Sequence, residues 1–392
     1  MNVIRVISEN DFEQVVELSQ YAFQYKLTDE EKKKAFKRFR TQYILGDFED
    51  GKLMAKTHTF HFQVVIQGKS FKMGGLASVS TWPEARRNKK VAVLIEKSLE
   101  WMNREGFSLS YLHPFSIAFY RKFGWELICS KKNLTIKKED LQFLAHFDGS
   151  MKRLEKEEAI PVLNTIYEKF MQENNSMLVR TNSWWKETAI KDDYMIAVYY
   201  NEENEADGYI LYKVENRLFS CKEVVSLTEK AKKVIWNFVC QHDSMVDEVN
   251  WMTYEEDLLP YYLANPRVKT EIHPYFMGRI VNVEQFLQEY PFIFNDNKRL
   301  ILHVYDPICE WNNGTFFVEE SGVKVFQKES GACVHEPRKG LQVDIGSLTS
   351  ILLGYVHPTS LYKGEKVTGE YEEAVKLEQM IIRKPSILFD FF

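Results

Sequence analysis

Residues 74–126 read GGLASVSTWPEARRNKKVAVLIEKSLEWMNREGFSLSYLHPFSIAFYRKFGWE. Val79 and Thr81 close an extended run, which Pro83 breaks because proline cannot donate to a sheet ladder. Arg86, Arg87, Lys89 and Lys90 then place four basic residues in five positions. Val91, Leu94, Ile95, Ser98, Leu99 and Met102 follow at helical spacing and share one face, and Gly106 ends the helix. The whole reads as strand, basic loop, helix, strand, short helix. A basic loop leading onto a helix N-terminus suits an anion, because the first N–H groups lack intrahelical partners and the dipole favours negative charge. The plain alternative is a solvated basic turn.

At 392 residues the chain exceeds the size at which a single core stops growing, so two or three domains are expected. Its apolar fraction of 45% is that of an ordinary globular protein. The net charge of −5 argues against general nucleic-acid binding. No apolar run approaches the roughly 18 residues of a membrane helix, and the N-terminal residues lack the apolar core of a signal peptide. A cytoplasmic protein is expected. Cys129, Cys221, Cys240, Cys309 and Cys333 are scattered and form no C-x-x-C, which fits reduced, buried thiols. His58 and His61 lie three apart on a strand and point to opposite faces, so no metal site is expected.

Around the central stretch, Val3–Ile7 alternates like a strand and residues 9–23 carry a helical pattern, with Ser8 as a candidate cap. Residues 30–39 form a second, highly charged helix. Strands are read over 48–66 and 71–81, with turns near Asp50-Gly51 and Gln67-Gly68. A closing strand spans 127–136. Lys137–Leu141 and Asp148-Gly149 mark a boundary. From Met151, helical patterns around 159–170 are followed by strands at 194–200 and 209–214. Ser226-x-x-Glu229 reads as a capping box before a helix whose buried face is Ala231, Val234, Ile235, Phe238 and Val239. Trp251 and Met252 end another strand. From Arg279 onward, strands are read at 300–305, 315–318 and 322–327, and helices at 344–353 and 370–380.

V-x-T-x-P-E-x-R-R at Val79–Arg87 resembles motif A of the GCN5-related N-acetyltransferases. S-x-L-x-P at Ser110–Pro114 and F-Y-R-K-F-G-W-E at Phe119–Glu126 resemble the end of the same domain. Taken with its length and C-terminal region, the chain is similar to the Eis (enhanced intracellular survival) acetyltransferases. The resemblance implies a mixed α/β fold: an acetyl-CoA-binding catalytic domain over 1–150, a degenerate acetyltransferase-like domain over 151–282 and a sterol-carrier-like domain over 283–392. A generic α/β dimerisation module is the alternative for the last. The resemblance also implies a hexamer, and an acetyl-CoA-dependent N-acetyltransferase whose acceptors are aminoglycoside-like polyamines or lysine side chains. A fold that has kept its shape for ligand binding or assembly is the non-enzymatic alternative.

By the same resemblance, backbone groups of Val79 and Thr81 meet the pantetheine arm. Arg86, Arg87, Asn88, Lys89, Lys90 and Val91 cradle the phosphates, and Ser116 and Tyr120 flank the thioester. The pattern departs at Lys89 and Val91, where relatives carry small residues that let the backbone approach a phosphate. Tyr120 matches the family's general acid. The α-carboxylate of Phe392 takes the role of general base, consistent with an apolar terminal run, S-I-L-F-D-F-F, that should be tied down. Deprotonating a lysine-like amine of pKa about 10.4 at neutral pH costs on the order of 4–5 kcal/mol, which is why a base is needed. Tyr21, Phe23, Tyr25, Trp184 and Trp185 are aromatic candidates for the amine pocket, since aromatic faces attract cations.

Overall fold

Alternating apolar residues build two sheets around the central stretch, and helical periodicity supplies the layers that cover them. The computed structural model describes residues 2–294, 299–326 and 339–392; Gln327 and Cys333 lie outside them. By contacts the chain divides into two units. One is Met1–Ile128 with Phe276–Arg383 and Phe391–Phe392; the other is Cys129–Tyr275 with Lys384–Asp390.

In the first unit β1 (Asn2–Val6), α1 (Phe12–Phe23), α2 (Asp29–Phe39), β2 (Tyr43–Glu49), β3 (Lys52–Ile66), β4 (Lys69–Thr81), α3 (Lys90–Arg104), β5 (Leu109–Leu112) and α4 (Ile117–Arg121) follow in order. Strands β1 to β4 pair antiparallel in sequence order. β4 then pairs parallel with β5, and β5 takes Met277–Ile280 antiparallel on its other side. The turns at Asp50-Gly51 and Gln67-Gly68 have positive φ at all four residues, as tight hairpin turns require. β2 begins five residues before the expected strand, because the charged end of α2 hides its start. Ser8 is the N-cap of the short turn Glu9–Asp11 that leads into α1, and its N–H and hydroxyl donate to Asp11 Oδ2 in a capping box. Thr28 and Glu31 form a reciprocal capping box on α2.

Leu94, Ile95, Ser98, Leu99 and Met102 of α3 are all buried, as their spacing predicts. The C-terminal part of this unit is a five-stranded sheet in the order Gly322–Phe326, Gly314–Glu319, Leu300–Tyr305, Leu341–Asp344, Val367–Gly369, with Ile345–Leu352 and Tyr371–Met380 as helices. Fully buried Arg279 joins it to the segment Phe119–Glu126: the guanidinium donates to the Phe123 carbonyl and to Asp306. Gly124 has φ +81, and a Cβ there would collide with Arg279, so the family-like F-G-W needs its glycine.

In the second unit the strand Glu126–Lys137 (β6) pairs with Glu248–Thr253, which runs parallel to Leu218–Ser226. Ala206–Glu215, Met195–Tyr200 and Ser150–Arg153 complete the sheet in antiparallel succession. The helix Glu229–Cys240 is capped by Thr228, whose hydroxyl accepts from Ala231 N–H. The Ser226 capping box is thereby corrected, since Ser226 still belongs to the strand. Fully buried Arg180 makes a two-point bond to Glu223 and a second to Asp390. Its plane stands 4.2 Å from the Tyr167 ring and 4.3 Å from that of Trp185.

Candidate active site

β4 pairs with β3 along its whole length, but with β5 only over Met73–Gly75. From Leu76 onward its second edge faces no strand among the described residues, and Leu76, Ala77, Ser78 and Val79 line a cavity of about 890 Å³. The register slips here: Lys56 pairs with Ser80 and His58 with Ala77, so Ser78 and Val79 together oppose Thr57. Ser78 takes a left-handed φ of 51°. Such bulges bend a strand and re-aim its groups.

The bulge is held from behind by Lys56. This fully buried ammonium-bearing chain reaches the Ser78 hydroxyl at 2.7 Å, the Ser78 carbonyl at 3.1 Å and His58 Nε2 at 3.0 Å. His58 Nδ1 lies 2.7 Å from Gln42 Oε1. Burial pulls the Lys56 amine down to about 7. Burial, then the neighbouring lysine, keeps His58 well below its ordinary value.

Tyr120 and Phe392 line the same cavity. The Tyr120 ring is buried and boxed by Phe115, Phe119 and Trp125 at centroid distances of 5.3, 5.1 and 6.3 Å. Burial raises its phenol above the ordinary value, so it holds its proton throughout the neutral range. The Phe392 ring seats against Phe62 at 4.9 Å and Phe276 at 5.0 Å. Gly75 makes the room: a Cβ there would stand 2.8 Å from Phe392. Phe23 and Tyr25 also line the cavity.

Beyond β4, Arg87 and Lys89 both adopt left-handed φ, 66° and 58°. Lys89 thus takes the backbone conformation that glycine supplies without strain, at a cost of roughly 1–2 kcal/mol. Arg86, Arg87, Asn88 and Lys89 are exposed. α3 starts with no side-chain cap and no acidic residue in its first turn, so its first N–H groups are open to an anion. Alternating left-handed turns of this kind make concave arrays of N–H groups. These features fit the diphosphate of coenzyme A.

Residues 3–128 match the acetyltransferase (GNAT) domain family, residues 176–280 match a second acetyltransferase (GNAT) domain family, and residues 283–388 match the sterol carrier protein domain family. N-acetyltransferase Eis of Mycobacterium tuberculosis is 24% identical over 207 residues, 50% of this chain and 51% of Eis. A probable N-acyltransferase of Enterococcus faecalis superposes with a TM-score of 0.92 at 26% identity, covering all of both chains. Eis1 of Mycobacterium abscessus shares the fold, with a TM-score of 0.81 at 19% identity over all of both chains. The chain carries two GNAT acetyltransferase domains and a sterol carrier domain, and in this it is Eis-like. It is an acyltransferase with a C-terminal sterol-carrier-like domain, and domains of this family use acetyl-CoA as co-substrate.

Within this Eis-like site several expected residues stand elsewhere. Lys90 turns its side chain inward to Asp47 and Glu49, both at 2.7 Å, and leaves only its backbone for a phosphate. Burial works against its charge and the two carboxylates more than offset that. Ser116 caps α4 by accepting from Phe119 N–H at 3.3 Å and does not line the cavity. The Thr81 hydroxyl donates to the Met54 carbonyl at 3.2 Å, which leaves the expectation for its backbone as it was, and Thr81 does not line the cavity. Val91 is half-buried on the core side of α3. Tyr21 packs at a tilt against Trp82 at 4.8 Å and lines a separate hollow with Arg86. Trp184 and Trp185 belong to the second unit, where Trp184 Nε1 donates to Asp390 and Trp185 Nε1 to Asn164; neither lines the cavity. Sequence reasoning missed Lys56, Ser78, His58 and Gln42. Lys56 sits in a strand of mixed polarity, K-L-M-A-K-T-H-T-F-H, so nothing in the sequence singled it out.

Proposed function

We propose that the N-terminal region, residues 1–150, catalyses acetyl transfer from acetyl-CoA to a primary amine. The observation that supports this most is the convergence on one cavity of the unpaired β4 edge, Tyr120 and Phe392, next to an uncapped basic helix start. Bound acetyl-CoA supplies an acetyl thioester, and its exchange for an amide leaves a thiolate that needs a proton and an amine that loses one.

Arg86, Arg87, Lys89 and the first N–H groups of α3 would hold the phosphates. Val79 and its open edge would receive the pantetheine arm. Tyr120 Oη holds a proton at the cavity wall and is the general acid. Its raised value does not disqualify it, because the same desolvation raises a thiol and so preserves the gap between the two. The carboxylate at Phe392 orients the amine and accepts its proton. Lys56 braces the Ser78–Val79 bulge from behind.

Calorimetric titration of acetyl-CoA into the full chain tests the reading. Micromolar binding is expected, followed by acetyl transfer to an amine; absence of binding at millimolar concentration overturns it. Residues appended after Phe392 should abolish transfer and leave the melting temperature unchanged. Full activity with such an extension would remove Phe392 from the mechanism.

A further inference from the structure

Turning an ammonium into an amide removes two protons from its nitrogen. The carboxylate at Phe392 takes one of them, and the second needs another acceptor. Lys56, which so far only braces the bulge, is placed to be that acceptor. This deepens the acetyltransferase reading and rests on it.

Lys56 is fully buried. Its partners are His58 Nε2, the Ser78 hydroxyl and the Ser78 carbonyl, and none of them is an anion. Asp47 and Glu49 of the neighbouring strand β2 are taken by Lys90 of α3. The other charged side chains of α1, α3 and β4, which pack on β3, are half-buried or exposed. Among the described residues, His58 is the titratable group in contact with Lys56. With no carboxylate to hold its charge, burial brings the amine down to about 7, so both protonation states are populated near neutral pH.

The proton positions follow from the partners. Gln42 Oε1 can only accept, so His58 Nδ1 carries the ring proton and Nε2 is bare. Lys56 must donate to that nitrogen. As an ammonium it gives its other two protons to the Ser78 carbonyl and hydroxyl. As a neutral amine it keeps its donations to His58 and the carbonyl, and its lone pair accepts the Ser78 O–H. Neither state leaves one of these buried groups orphaned, which would be costly. What differs is the direction of the Ser78 hydroxyl. Ser78 lines the same cavity as Tyr120 and Phe392.

We propose that Lys56 is a proton acceptor of the reaction, reached from the cavity through the Ser78 hydroxyl. The N–H bond of the acceptor breaks and its proton bonds to Ser78 Oγ, while the Ser78 O–H bond breaks and its proton bonds to the Lys56 lone pair. The N–H electron pair stays on nitrogen. After one turnover the Phe392 carboxylate and Lys56 each hold one proton more, and Tyr120 holds one fewer. Net release of one proton to solvent resets all three.

Acetyl transfer by the full chain is followed as thiol release from acetyl-CoA. Benzylamine, spermidine, kanamycin and a lysine peptide are offered as acceptors, and the one turned over fastest is used. Ser78→Ala keeps the Cβ and removes the hydroxyl. Its kcat should fall about 100-fold at about pH 8. At about pH 5 it should scarcely fall, because only about one Lys56 in a hundred is neutral there. The slope of log kcat against pH below about pH 7 should therefore drop by about one. Ser78→Gly, which the left-handed φ favours, should behave alike, and both variants should keep the calorimetric Kd for CoA. A merely structural serine would lower kcat by one factor at every pH. That result, a loss of CoA affinity or an unchanged kcat overturns the inference and leaves the acetyltransferase reading standing. No transfer by the unaltered chain to any of the four acceptors overturns both.

Discussion

Two helices occupy the same place in two copies of one motif and begin in opposite ways. α3 follows β4 and leads into β5, which is parallel to β4. The helix Glu229–Cys240 follows Leu218–Ser226 and leads into a strand parallel to it. α3 opens without a cap, from a loop with two residues held in left-handed backbone. The other helix is closed by Thr228. An unsatisfied helix start persists where a ligand can satisfy it; a satisfied one belongs to a scaffold. Two buried lysines, one in each unit, show opposite outcomes of burial. Lys56 in the first unit has its value pulled down by burial. For Lys232 in the second, burial also works to lower it, but Asp257, Tyr254 and Glu229 prevail and raise it. Lys232 has carboxylates to meet its charge, whereas Lys56 has only the hydroxyl, carbonyl and imidazole groups behind the cavity wall; the difference is local, since Lys90 of the first unit is paired and Lys131 of the second is lowered by burial.

The contrast breaks most readily at Arg180. Arg180→Met leaves the Glu223 and Asp390 carboxylates buried without their cation and should lower unfolding free energy by about 3–5 kcal/mol in denaturant titrations. A loss below 1 kcal/mol would mean that the second unit does not depend on its internal pairing.

The two lysines differ in pH response. The folded Lys56 value lies below its unfolded one, so the unfolded chain binds more protons between about pH 7 and 10 and stability rises with pH across that window. The gain is up to about 4 kcal/mol. Lys232, charged in both states there, adds no slope. Stability curves of the protein and of Lys56→Met should therefore differ by an amount that changes between pH 7 and 10; parallel curves would refute the assignment.

At the cavity, Tyr120→Phe keeps the ring packing and removes the acidic proton. A drop in kcat of about 100-fold is expected, with CoA affinity unchanged. An unchanged kcat would move the general acid elsewhere.

The smallest effects compare the helix starts themselves. Thr228→Ala should cost about 1 kcal/mol of stability, read from the melting temperature. Lys89→Gly should stabilise by about 0.5 kcal/mol, because relief of left-handed strain exceeds the added freedom of the unfolded chain. Destabilisation by Lys89→Gly would show that the lysine side chain itself holds the loop.

Periodicity made α3 legible, since a buried face repeats at the spacing of the helix and its residues need only neighbours along the chain. The hairpin turns were legible because Asp-Gly and Gln-Gly mark positive φ locally. The family likeness of Val79–Arg87 and Phe119–Glu126 led to Tyr120, and both lie in the region the GNAT family matches. Side-chain direction was not legible. Lys90 sits in a basic run yet turns to Asp47 and Glu49, residues more than forty positions away. Trp184 and Trp185 satisfied the chemistry of a cation pocket and serve Asp390 and Asn164 instead.

What the sequence determined alone was local: which segments are helix or strand, where the basic loop lies, and which family's residues it carries. The tertiary structure decided which polar groups share a space. It split β4 from β5 after Gly75 and braced the Ser78 bulge with a lysine from the neighbouring strand. Those outcomes depend on contacts between residues distant in the chain, and distance along the chain carries no information about direction in space.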